Sequence, residues 1–109
     1  MLTLPIKKKW FDMILSGEKQ EEYREIKSYW TKRLLKTDID FDLEKLKNQL
    51  RKEGSCLYRT IILRNGYSKN SRSIECRVSI SIGYGNLDWG AIPGKEYYIL
   101  KILDMEVIK

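Results

Sequence analysis

Histidine is missing from the 109-residue chain altogether, and cysteine and proline each occur only twice. The lack of histidine excludes Ser–His and Cys–His nucleophile activation and His-pair ribonuclease chemistry. Two cysteines alone cannot fill the four-ligand shell of structural zinc. Any catalysis would therefore fall to Lys, Glu, Asp, Tyr, Thr or Ser. No apolar run approaches the ~20 residues of a membrane span, so no membrane segment is expected. Lys7-Lys8-Lys9 follows the first apolar residues instead of preceding them. That order is wrong for a signal peptide, and the protein is expected to be cytoplasmic. Cys56 and Cys76 then read as reduced thiols that behave as small hydrophobes.

What is present fits one soluble domain spanning residues 1–109, with a single modest core. The formal net charge is +6, which suits a polyanionic partner without requiring one. Leu2-Thr3-Leu4 reads as a short strand closed by Pro5. From Ile6 to Ser16 the spacing of Ile6, Trp10, Met13 and Ile14 predicts a helix with those residues on one face. Gly17 is placed as its left-handed C-terminal residue. Gln20 to Ile26 follows as a strand, and Ser28 as the N-cap of a short helix carrying Tyr29, Trp30, Arg33 and Leu34. A charged insertion at about residues 36–54 holds Leu43, Leu46 and Leu50 at helical spacing, ending near Gly54. The run Asp38-x-Asp40-x-Asp42 lacks the glycine and the closing glutamate of a calcium loop, so it reads as acidic helix entry.

The second half reads as β. Leu57 to Leu63 is followed by a turn at Arg64-Asn65-Gly66-Tyr67. Ile74, Cys76, Val78, Ile80 and Ile82 alternate with polar residues and predict a strand with one buried face. After a glycine-punctuated loop bearing Tyr84, Asp88 and Trp89, Tyr97 to Val107 is a long last strand, bulged or bent to close a barrel. Early helices and late strands give an α+β class built on a small closed sheet, with flanking helices and one extra inserted helix.

The stretch Ser16 to Arg24 carries the functional signal. Run as a strand, it places Lys19, Glu21 and Tyr23 on one face and Gln20, Glu22 and Arg24 on the other. Charge on both faces needs a partner or water for each group, so one set is expected to face a wet cleft. A purely structural alternative is an ion network around Lys19, Glu22 and Arg24 that fixes strand and loop geometry.

The spacing Gly17-x-Lys19-x-x-Glu22-x-Arg24, preceded by Ile14-Leu15-Ser16, resembles the signature of the ASCH family of PUA-like β-barrels. Leu2-Thr3-Leu4-Pro5 before a helix containing Trp10, and Ile26-Lys27-Ser28-Tyr29-Trp30 after the motif, resemble the phage and prophage branch of that family. The resemblance spans nearly the whole chain outside the insertion. It implies a PUA-like barrel and binding of single-stranded RNA or a nucleotide-like ligand; with no histidine and no metal-ligand spacing in the chain, no cofactor and no resident metal are expected. The ligand-binding residues would be Lys19, Glu22, Tyr23, Arg24, Arg64 and Tyr67, with Trp30 and Trp89 as further stacking candidates. Two enzymatic alternatives go with the same resemblance. Some small relatives deacetylate N4-acetylcytidine with the motif lysine, a threonine three residues on, and a separate acid. Lys19 matches the lysine, while Glu22 stands where the threonine would be. As catalytic residues, Glu22 would act as a base on water and Lys19 as its electrostatic partner, with Glu75 an acid candidate by strand location alone. The other alternative is cleavage of single-stranded RNA using Lys19, Glu21 and Glu22, with Mg²⁺ held by carboxylates.

Overall fold

Alternating burial along the strands and left-handed glycines between several elements shape the computed structural model, which describes residues 1–35 and 43–109. The reading of Asp38, Asp40 and Asp42 lies outside the described residues. In chain order the elements are β1 (Thr3–Ile6), α1 (Lys8–Leu15), β2 (Glu21–Glu25), α2 (Ser28–Leu35), α3 (Leu43–Leu50), β3 (Leu57–Asn65), β4 (Ser73–Tyr84), a 3-10 turn (Leu87–Trp89) and β5 (Glu96–Val107). The five strands make one curled half-barrel sheet in the order β1-β3-β4-β5-β2. Among the described residues only β1–β3 is parallel. The class is therefore α+β with a barrel-like sheet. None of the helices described is long and apolar enough to cross a membrane.

The alternation foreseen in β4 sets the core. Ile74, Cys76, Val78 and Ile80 are fully buried, opposite Leu63, Ile61, Arg59 and Leu57 of β3. On the other side, Ile80 pairs with the buried Leu100 of β5. Phe11 and Ile14 of α1, Leu34 and Leu35 of α2, and Leu46 and Leu50 of α3 cover this inner face. In α1 the buried stripe differs from the one read in sequence. Phe11 takes the core position, while Trp10 and Met13 are only half-buried. The helix begins at Lys8, so Phe11 and Ile14 stack one turn apart over the sheet, and Trp10 is rotated out.

β5 is bulged as expected. Arg77 pairs with Asp104 and Val78 with Ile102, which leaves Leu103 as the extra residue. The bend does not bring the sheet to closure. β1 and β2 are the two ends of the strand order, and no ladder joins them among the described residues. Ile62 and Gly66 of the β3 side donate to the carbonyls of Leu2 and Ile6. By alternation, the main-chain groups of Thr3 and Pro5 then point away from β3. Proline has no N–H to give, so this edge is a poor template for β2, and a seam stays open.

Cys56 and Cys76 are both free. Leu57 pairs with Ile80, so Cys56 lies about 15 Å along the ladder from Cys76, beyond the ~7 Å limit for a disulfide. Burial pushes the Cys76 thiol up to about 12, whereas Cys56 is half-exposed. Iodoacetamide at about pH 8 should alkylate Cys56 in the native protein and reach Cys76 only on unfolding. Mass mapping of the labelled peptides reads this directly, and native labelling of Cys76 would contradict the packing.

Candidate functional site

The site is built where α1 hands over to β2. Gly17 adopts φ of +86°, a conformation that L side chains rarely tolerate. Its N–H bonds to the Ile14 carbonyl, and the Lys19 N–H to the Met13 carbonyl at 2.9 Å. This turn fixes the Lys19 backbone to the helix end before the strand starts at Glu21. Lys19 is therefore not in the strand alternation. Its Nζ donates to Glu22 Oε1 at 3.0 Å and to the Trp89 carbonyl at 2.7 Å. The ammonium also lies over the rings of Trp10 and Tyr23, at 4.5 and 5.3 Å from their centroids. The residue is 1 % exposed. Burial drives its pKa below the ordinary lysine value, and the Glu22 carboxylate works in the opposite direction.

Glu22 and Arg24 share the inner face, opposite Leu100 and Tyr98. The Gln20 carbonyl accepts from the Ile102 N–H, so residues 20, 22 and 24 turn their main-chain groups to β5 and Tyr23 turns its own to the seam. Both of Tyr23's main-chain groups are satisfied by its neighbours. Its N–H donates to Glu22 Oε1 at 3.2 Å, and its carbonyl accepts from Arg24 Nη1 at 2.8 Å. Arg24 Nη2 crosses the opening and donates to the Pro5 carbonyl on β1 at 3.1 Å. Glu22 Oε2 lies 3.5 Å from Arg24 Nη1, and the guanidinium lies over Trp30 at 5.1 Å. The motif is thus a clasp across the unpaired strand edges.

On the outer face, Tyr23 packs with Ala91 and Tyr97. Its hydroxyl donates to Glu21 Oε1 at 2.7 Å and accepts from the Asn86 N–H at 2.8 Å. These bonds hold the 3-10 turn that supplies the Trp89 carbonyl. Gly85 makes the fit possible, because a Cβ there would lie 2.7 Å from the Tyr23 ring.

A cleft of about 1000 Å³ runs along the seam. Residues of β1 and β2 form its walls, and Trp10, Trp30 and Trp89, the three tryptophans of the chain, all line it. Tyr29, Tyr67 and Tyr97 also contribute, with Lys7, Lys27 and Arg33 as cations. Of the residues singled out in the sequence, Glu22, Tyr23, Arg24 and Tyr67 line the cleft; Lys19 and Arg64 do not. Lys19 sits behind Glu22. Arg64 lies in β3 between Pro5 and Ser73, flanked by strands on both sides, with its Nε buried and without a hydrogen-bond partner among the described residues. Tyr67 is 88 % exposed at the rim. Trp10 was legible only as a core residue, and Tyr97 only as part of a strand. The main-chain acceptors of Pro5 and Trp89 carry no side-chain signal at all.

Chemically, the Lys19 ammonium is spent on two oxygens and two ring faces. Glu22 Oε1 is spent on Lys19 and an amide, and the Arg24 guanidinium on two carbonyls and Glu22. The network therefore orders the wall of the cleft, and the groups left for a ligand are the ring faces and edges that these cations do not cover and the peripheral cations. No family model, curated protein or solved structure matches this chain.

Lys19→Ala should destabilise the fold by about 3–5 kcal/mol, because it strands a buried carboxylate. The double change Lys19→Met with Glu22→Gln, which removes both charges and keeps an acceptor for the Tyr23 N–H, should recover part of that loss in urea unfolding. Burial and the Glu21 carboxylate raise the Tyr23 phenol above its ordinary value of 10.0. A folded value above the unfolded one gives stability that is intact below pH about 10 and lost as pH climbs toward the folded value. Tyr23→Phe should show a shallower alkaline loss in urea titrations across pH, from a neutral-pH stability lower by about 1–3 kcal/mol.

Proposed function

We propose that the seam cleft binds a stretch of single-stranded RNA or a nucleotide, and that the protein is a cytoplasmic ASCH-type domain with a PUA-like barrel. The observation that carries this reading is the concentration of all three tryptophans and several cations along one cleft of about 1000 Å³. Nucleobases stack on aromatic faces for about 1–3 kcal/mol each, and lysine and arginine follow the backbone phosphates. The net charge of +6 supplies long-range attraction for such a ligand. The resemblance of Gly17-x-Lys19-x-x-Glu22-x-Arg24 to the ASCH signature supports the same reading. Within it, Lys19 positions Glu22 and Arg24, while Tyr67, Trp30 and the cations meet the ligand. The hydrolytic alternatives are less well supported, since Lys19 does not line the cleft and Glu22 holds the strand edge.

The test is fluorescence anisotropy of labelled single-stranded RNA over a range of salt concentrations, using variants at exposed positions that leave the clasp intact. Lys7→Ala should reduce the magnitude of the salt slope by about one phosphate contact. Tyr67→Ala should weaken binding by about 1–3 kcal/mol with an unchanged melting temperature. Salt-independent binding, or affinity indifferent to both changes, would refute the proposal.

A further inference from the structure

A second unpaired edge lies far from the cleft. β2 covers β5 only as far as Ile102, whose N–H donates to the Gln20 carbonyl. β5 continues to Val107 with β4 on one side and nothing paired on the other among the described residues. The Leu103 bulge resets the alternation. Ile108 donates to the Ser73 carbonyl, so by alternation residues 104 and 106 bond to β4, and Met105 and Val107 direct their main-chain groups to the open side. Their side chains share the inner face with Cys76 and Ile74, yet they are 37 % and 62 % exposed. This end of the apolar layer therefore runs out to an unprotected edge.

The outer face of the same segment is acidic. Glu75 and Glu106 stand directly opposite each other across the ladder, at the ~5 Å spacing where like charges repel. Among the described residues no ion pair engages either of them, whereas Asp104 is held by Arg77 at 2.9 Å. These charges decide which strand fits. A two-fold pairing of β5 with its own copy keeps like faces together. It sets Asp104 against Asp104, Asp104 against Glu106, or Glu106 against Glu106, depending on register. Self-pairing is thereby opposed.

We infer that the edge from Leu103 to Val107 is a docking site for an extended segment of a partner protein with alternating basic and apolar residues. Its main chain bonds to Met105 and Val107. Its apolar side chains extend the inner face, and its cations lie beside Glu106, with Glu75 one strand further in adding to the same negative field.

The probe is a synthetic peptide of alternating lysine and valine, with a glutamate–valine peptide of equal length as control. Both are titrated into the isotope-labelled full chain. The expected result is salt-sensitive binding of the lysine peptide alone, with slowed amide exchange at Met105 and Val107. Val107→Pro removes an outward donor while leaving the β4 ladder intact, and should weaken binding by about tenfold or more. The pair Glu75→Lys and Glu106→Lys should reverse the preference toward the glutamate peptide. This charge swap keeps the inference testable even if the proline variant folds poorly. Equal binding of both peptides, protection mapping to the seam cleft, or dimerisation through β5 without peptide would each overturn the inference.

Discussion

An unclosed strand edge must find partners for its main-chain groups, and that constraint governs the rest of the structure. A buried N–H or carbonyl without a partner costs about as much as a lost hydrogen bond or more. Here two edges face one another across a gap because Pro5 has no N–H to offer and β1 is only four residues long. Glu22 and Arg24 take over the missing ladder bonds at Tyr23, and Arg24 ties them to Pro5. Such a clasp brings charge into a half-buried place. Lys19 is the counter-charge that makes it tolerable, and it is itself held by the Trp89 carbonyl and the flanking rings.

That arrangement joins three segments distant in sequence. The left-handed turn at Gly17 sets the start of β2, the Tyr23 hydroxyl holds the 3-10 turn, and that turn returns a carbonyl to Lys19. Each contact is short-ranged, yet together they keep a cleft open where an ordinary barrel would zip shut. The same network explains why the most conspicuous charges of the motif are poor candidates for ligand contact: their bonding capacity is already used within the wall.

Much of this was legible in the residues and some of it was not. Strict alternation from Ile74 to Ile82 and the helical spacing of Leu43, Leu46 and Leu50 gave their elements clearly, because side-chain period reports burial. Gly17 was legible because few other residues take a positive φ at a helix end. The motif's cohesion followed from charge on both faces of a short strand. Lys19's actual direction did not, since the strand starts two residues later than its alternation assumed. Trp10 and Phe11 exchange roles through a small shift in helix start, beyond the reach of spacing alone. Arg64 was named as a cleft cation together with Tyr67, yet of the two only Tyr67 lines the cleft. The seam itself depends on the pairing of β1 with a strand more than fifty residues away, and on main-chain carbonyls that no residue type announces.

The central claim is that the seam cleft, with its three tryptophans, receives the ligand. The most direct measurement follows the three indole N–H signals by NMR as single-stranded RNA is added at low and high salt. The account predicts that the signals of Trp10, Trp30 and Trp89 shift together, saturate with the bound fraction, and revert as salt is raised. Saturable binding that leaves all three unmoved, or no binding at low salt, would contradict it.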